Sequence, residues 1–152
     1  MALTSKEIGM LQENLNAEYL CIRKYKQYAS MAQDPKLKQV FTNLAIKEET
    51  HANTIKSILE QNNVKPDALL DNYSSPQGNL SDVQNSLGIT DAQLLNDALS
   101  MEKHISGSYN TAVLESACSN TRKQLQHIQQ EEQEHAEVLF NEMNSRGWYN
   151  LS

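Results

Sequence analysis

Gln129-Gln130-Glu131-Glu132-Gln133-Glu134-His135-Ala136 sets a carboxylate three residues before an imidazole, as Glu132-x-x-His135. The same spacing occurs at one other place, Glu48-x-x-His51, within Lys47-Glu48-Glu49-Thr50-His51-Ala52. Positions i and i+3 lie on one face of a helix, so each pair can present both groups to one point. Two such pairs raise the question of a metal site, and the remaining sequence decides whether they face each other.

The composition sets the class. Aromatic residues make up 6% of the 152 residues, with five Gly and three Pro, so helix breakers and strand-forming runs are both scarce. An all-α chain of one domain, residues 1–152, is expected. A net charge of −6 argues against nucleic acid and anionic membrane as partners. No run approaches the length of a membrane span. The start, Met1-Ala2-Leu3-Thr4-Ser5-Lys6-Glu7, has neither the basic nor the apolar region of a signal peptide, so cytoplasmic synthesis is expected. Cys21 and Cys118 form no CxxC motif and read as free thiols acting as small buried hydrophobes.

Four long helices follow from the periodicity. The first, about 4–33, opens with Thr4 and Glu7 as a capping box and carries Ile8, Leu11, Leu15, Ile22, Tyr25, Ala29 and Ala32 inward. Glu18 falls in that stripe, where a carboxylate is costly unless paired or bound to a cation. Asp34-Pro35 supplies an N-cap and a first helical residue for a helix over 35–61. Its stripe is Leu37, Phe41, Leu44, Ile55 and Ile58, with Glu48 and His51 between.

Residues 62–89 hold the remaining prolines, at Val64-Lys65-Pro66-Asp67 and Tyr73-Ser74-Ser75-Pro76-Gln77-Gly78-Asn79. They read as a crossover containing a short helical turn, with Leu69, Leu70, Leu80, Val83 and Leu87 packing onto the bundle. A third long helix, 90–117, starts with the capping box Thr90 and Gln93. It turns Leu95, Ala98, Leu99, Ile105, Tyr109, Val113 and Ser116 inward, with Glu102 in the series. Gly107 inside it is explained either by a close helix contact or by tolerance. The fourth, 119–146, carries Leu125, Ile128, Leu139 and Met143 with Glu132 and His135. Glu131, Glu134, Glu137 and Glu142 are assigned to its solvated face, and His104 and His127 to the surface. Gly147 stops it, and Trp148-Tyr149 is expected to fold back on the bundle.

An offset of 84 residues carries Glu18 onto Glu102, Glu48 onto Glu132 and His51 onto His135, and also matches Leu11 with Leu95, Leu15 with Leu99 and Tyr25 with Tyr109. Glu18 and Glu48 stand equally far from the first turn, as Glu102 and Glu132 do from the second, at about 22 Å along each helix. Packing the two hairpins together therefore brings all six residues to one layer. One Glu from each of two helices plus Glu-x-x-His from each of the other two is the ligand set of a dinuclear carboxylate site. Two metal ions are expected, iron first, with manganese or zinc as alternatives. Tyr25 and Tyr109, seven residues beyond Glu18 and Glu102, are candidate hydrogen-bond donors to the ligands or core residues.

The ligand pattern and the long crossover resemble the ferritin-like superfamily, rubrerythrins and bacterioferritins included, which implies an antiparallel four-helix bundle built of two hairpins. The stretch Gln93-Leu94-Leu95-Asn96-Asp97-Ala98-Leu99-Ser100-Met101-Glu102-Lys103-His104, with Arg122 and the segment from Glu131 to Arg146-Gly147-Trp148-Tyr149, resembles the Coat F domain of spore coat proteins. The chain departs from rubrerythrin in lacking CxxC pairs and in having Ile105, not Glu, one turn after Glu102. The first resemblance implies oxidation of Fe(II) or reduction of O2 or peroxide at a diiron site. The second implies a spore-coat location with other coat proteins as partners; further copies of the chain are a separate candidate partner. Taken alone, it implies a structural bundle without catalysis.

Overall fold

The computed structural model describes residues 2–67 and 79–151. The expected packing of Leu69 and Leu70 and the turn Tyr73-Ser74-Ser75-Pro76-Gln77-Gly78 lie outside the described residues. The order of elements is α1 (Ser5–Met31), α2 (Pro35–Gln61), α3 (Ser81–Leu87), α4 (Asp91–Glu115) and α5 (Ser119–Ser145), and no strand occurs among the described residues. The four long helices make an antiparallel bundle of two hairpins, with the crossover between α2 and α4, as expected.

Local chemistry sets the ends of these helices. Thr4 and Thr90 each accept from the amide three residues on, while the Glu7 and Gln93 side chains return to the cap amides, so both capping boxes form. Asp34 caps α2 by accepting from the Lys36 amide, with Pro35 in the first turn. Gly147 ends α5 at φ 69°, in the left-handed region that favours glycine. Its amide bonds Asn144 O at 3.1 Å, and the Trp148 amide bonds Met143 O at 2.9 Å. Tyr149 then packs its ring edge-on to Phe140, centroids 5.0 Å apart, which returns the tail to the bundle.

The predicted stripes are the core. Leu11, Leu15, Tyr25, Leu37, Phe41, Ile55, Ile58, Leu95, Ile105, Tyr109, Leu125 and Leu139 are all buried. The hairpins are α1 on α2 and α4 on α5. They join chiefly along α1 and α4, whereas α2 and α5 meet sparsely. At one end of the molecule, Glu7 Oε1 accepts from the Ala117 amide at 2.8 Å, tying the start of α1 to the turn before α5. At the other, Asp91 takes the Gln33 and Asp34 amides at 2.9 and 3.0 Å, and Arg146 Nη1 reaches Asp34 at 2.5 Å.

Four expectations are corrected. Val83 and Leu87 are exposed, at 45% and 64%, and Leu80 is half-buried. The short α3 docks through polar groups instead. Ser81 Oγ donates to Ala32 O, and buried Gln84 bridges Gln33 and Asp91. Glu142 is buried rather than solvated because Lys36 and Arg146 pair with it at 2.7 and 3.2 Å. Cys118 is half-buried at the head of α5, where the turn leaves it uncovered, whereas Cys21 is buried and both thiols are free. Glu131, assigned to the solvated face, is drawn inward by His51, as described below.

A Cβ built on Gly107 meets nothing within 4 Å, so tolerance and not a close helix contact explains this glycine. Gly107→Ala is therefore expected to stabilise the protein by about 0.5–1 kcal/mol. The check is an increase in the urea midpoint with unchanged slope. A decrease would mean that the position needs glycine.

Candidate metal centre

The six residues converge at mid-bundle. Glu18 on α1, Glu48 and His51 on α2, Glu102 on α4, and Glu132 and His135 on α5 are all buried, the four carboxylates at 0% exposure. The symmetry anticipated from the offset is visible in the contacts. Glu48 turns Oε2 to His51 Nδ1 at 2.9 Å and Oε1 to His135 Nδ1 at 3.1 Å. Glu132 does the same, with Oε1 to His51 Nδ1 at 3.1 Å and Oε2 to His135 Nδ1 at 3.3 Å. These two carboxylates thus each span both imidazoles. Glu18 lies at the His51 end, 3.8 Å from Nδ1, and Glu102 at the His135 end, 3.7 Å from Nδ1. The imidazole rings stack 5.4 Å apart.

Tyr25 and Tyr109 close the layer with crossed hydrogen bonds. Tyr25 Oη on α1 donates to Glu102 on α4, and Tyr109 Oη on α4 donates to Glu18 on α1. The antiparallel seven-residue spacing produces this exchange, so each tyrosine orients the glutamate of the opposite hairpin. His104 and His127 are exposed, as expected.

Burial and mutual repulsion sort the protons. Burial, with the charges of Glu48 and Glu132, raises Glu18 well above its ordinary value. Glu102 is also raised by burial and the same two charges, although His135 opposes this. Burial would raise Glu132 too, but hydrogen bonds from His135 and His51 overcome it and hold the group down at about 2. Glu48 is likewise held low against burial by His135 and His51. Burial would lower His51, yet Glu132 and Glu48 push it up to about 10. His135 is pushed up to about 12 against burial by Glu102, Glu132 and Glu48. Without an ion, these directions favour protons on Glu18, Glu102 and the two imidazoles, and their absence from Glu48 and Glu132.

Two ligand clusters could hold metal ions: Glu18, Glu48, His51 and Glu132, and Glu48, Glu102, Glu132 and His135, with the donor atoms of each within 4.8 Å of one another. The oxygens Glu18 Oε2, Glu102 Oε2 and Glu132 Oε2 are buried without a hydrogen-bond partner. A buried carboxylate oxygen without a hydrogen-bond partner is costly, and a cation would satisfy it. Hard oxygen donors with one imidazole per cluster suit first-row divalent ions.

Three features escaped the sequence reading. Glu131 Oε2 contacts His51 Nε2 at 2.9 Å. Its clue was its place four residues before His135, on the shoulder of the stripe. Asn14 is buried and accepts from Ser108 Oγ at 2.5 Å, linking α1 and α4 beside the layer. A groove between α2 and α5 borders His135 and Glu131 and is lined also by Val40, Ile46, Lys47 and Val138.

The chain belongs to the ferritin-like family, whose Ferritin-like domain model matches residues 8–117. Its C-terminal part, residues 90–152, also matches the Coat F domain. The two matched ranges together contain all six residues of the layer. Among solved structures, the crystal structure of a conserved hypothetical protein, rv2844, from Mycobacterium tuberculosis superposes with a TM-score of 0.74 at 14% identity. That likeness covers 92% of this chain and 98% of the other, and concerns the fold. No curated protein sequence matches the chain. No described helix is long and apolar enough to cross a membrane.

Proposed function

We infer that this chain is one ferritin-like domain of Coat F type that holds two metal ions, iron first, in the mid-bundle layer. Glu48 and Glu132 would be shared between the ions, with Glu18 and His51 serving one and Glu102 and His135 the other. The observation that carries this reading is the set of four fully buried carboxylates gathered with two imidazoles, three of them keeping an oxygen without a hydrogen-bond partner. When bound, a pair of iron ions would supply electrons to O2 or peroxide. The chain's own part is to hold the ions dry and to orient Glu18 and Glu102 through Tyr109 and Tyr25. The Coat F match supports a spore-coat setting, with other coat proteins as partners.

Anaerobic loading with ferrous ion, followed by O2 or peroxide, tests the reading. An oxidation step faster than that of free ferrous ion, and lost in His51→Ala and His135→Ala, is the expected result. Oxidation at the free-ion rate would remove the redox role. One observation favours a purely structural alternative: Glu48 and Glu132 already pair with both imidazoles without an ion. Coat incorporation that survives replacement of all six residues, with no oxidation activity in the native chain, would select it.

A further inference from the structure

The two ends of the layer differ outside their six shared residues. At one end, Glu131 places Oε2 2.9 Å from His51 Nε2, the ring nitrogen facing away from the centre, and His127 stands 3.6 Å behind that carboxylate. At the other end, the 84-residue offset puts Lys47 where Glu131 stands. Among the described residues, the carboxylates within ion-pair distance of His135 (Glu48, Glu102 and Glu132) all approach Nδ1. His135 borders the groove of about 500 Å³ between α2 and α5, and Glu131 lines the same groove. The groove's Val40, Ile46 and Val138 correspond by the offset to Gln124, Gln130 and Thr54. The outer nitrogen of His51 is thus held by a carboxylate, whereas the His135 end has a lysine at the corresponding position and apolar residues in the groove wall.

We propose that Glu131 makes the two metal positions inequivalent, acting as a positioning residue that fixes the His51 imidazole and strengthens the ion held there. A carboxylate on the outer nitrogen of a ligating imidazole fixes its tautomer and raises its basicity, and losing it typically costs 10–100-fold in metal affinity. The His135 position has Lys47 at the corresponding place, and the described carboxylates near it all approach Nδ1, so its ion is the weaker one. The inference rests on the dimetal reading above.

Titration of the metal-free full chain with Co2+, followed by its d–d absorption, tests the proposal. The native chain should bind two ions in steps separated by about tenfold or more. Glu131→Gln should weaken the first step by about 10–100-fold and shift the bands of that ion, leaving the second step unchanged. Glu134→Gln, which removes an equal charge from the groove, should leave the first step unaltered. Glu131 is partly exposed, at 21%, and unchanged helical circular dichroism of its variant would show that folding is intact. Two equal steps in the native chain, equal weakening of both steps by Glu131→Gln, or the same effect from Glu134→Gln would overturn the inequivalence alone. Failure of the native chain to bind Co2+ would overturn the dimetal reading and this proposal together.

Discussion

Glu48→Gln or Glu132→Gln is expected to destabilise the metal-free protein by about 3–5 kcal/mol, whereas Glu18→Gln or Glu102→Gln changes it by less than about 1 kcal/mol. All four carboxylates are equally buried, so burial alone predicts four equal effects. Protonation separates them. Glu48 and Glu132 are the anions that balance the His51 and His135 imidazoliums. Amidation of either leaves a buried cation unpaired or forces a proton off a raised imidazole, and both are costly. Glu18 and Glu102 are already neutral, so an amide replaces a carboxylic acid and still accepts from Tyr109 or Tyr25. All four variants should nevertheless lose metal affinity, because each removes a ligand charge. Denaturant unfolding of the four chelated variants makes the comparison. Equal losses across the set would show that the protons are distributed otherwise.

Loading two divalent ions near neutral pH should release about four protons, one each from Glu18, Glu102, His51 and His135. The exchange conserves charge, since four protons leave as two doubly charged ions enter. Protons therefore compete with the metal, and apparent affinity rises with pH by about two tenfold steps per ion per unit. The stability of the metal-free chain runs the opposite way. Its folded state keeps protons on Glu18 and Glu102 above the ordinary 4.5, and on His51 and His135 above the ordinary 6.5. The unfolded chain sheds them, so stability falls as pH rises from about 4.5, and the His51 contribution is gone only past about 10. On the acid side, the contribution of Glu132 is present above 4.5 and is lost as pH falls through about 2. Calorimetry of metal binding in buffers of different ionisation enthalpy counts the protons. Release near zero would contradict the assigned protonation.

Most of the fold was legible because its signals are periodic and local. The capping boxes at Thr4 and Thr90 and the Asp34-Pro35 junction place three helix starts within a residue. The four acidic breaks in the apolar stripes, at Glu18, Glu48, Glu102 and Glu132, fall into one layer under the 84-residue offset, and Glu48 and Glu132 meet both imidazoles there. The periphery was less legible, because partners distant in sequence decide it. Glu142 reads as a surface residue until Lys36 and Arg146 are seen beside it. Gln84 is buried by Gln33 and Asp91, and no periodicity in a seven-residue helix announces that. Glu131 reads like solvated Glu134 until His51 is seen 2.9 Å from it. Which carboxylates span the two imidazoles was also beyond the spacing, since the direction of a side chain oxygen is set by packing.

The central claim is that Glu18, Glu48, His51, Glu102, Glu132 and His135 form one dinuclear site. Metal analysis of the purified chain after loading with ferrous ion and removal of free ion tests it most directly. The account predicts two ions per chain, reduced to one or none in His51→Ala and in His135→Ala. Binding well short of two, or binding that both variants leave unchanged, would contradict it.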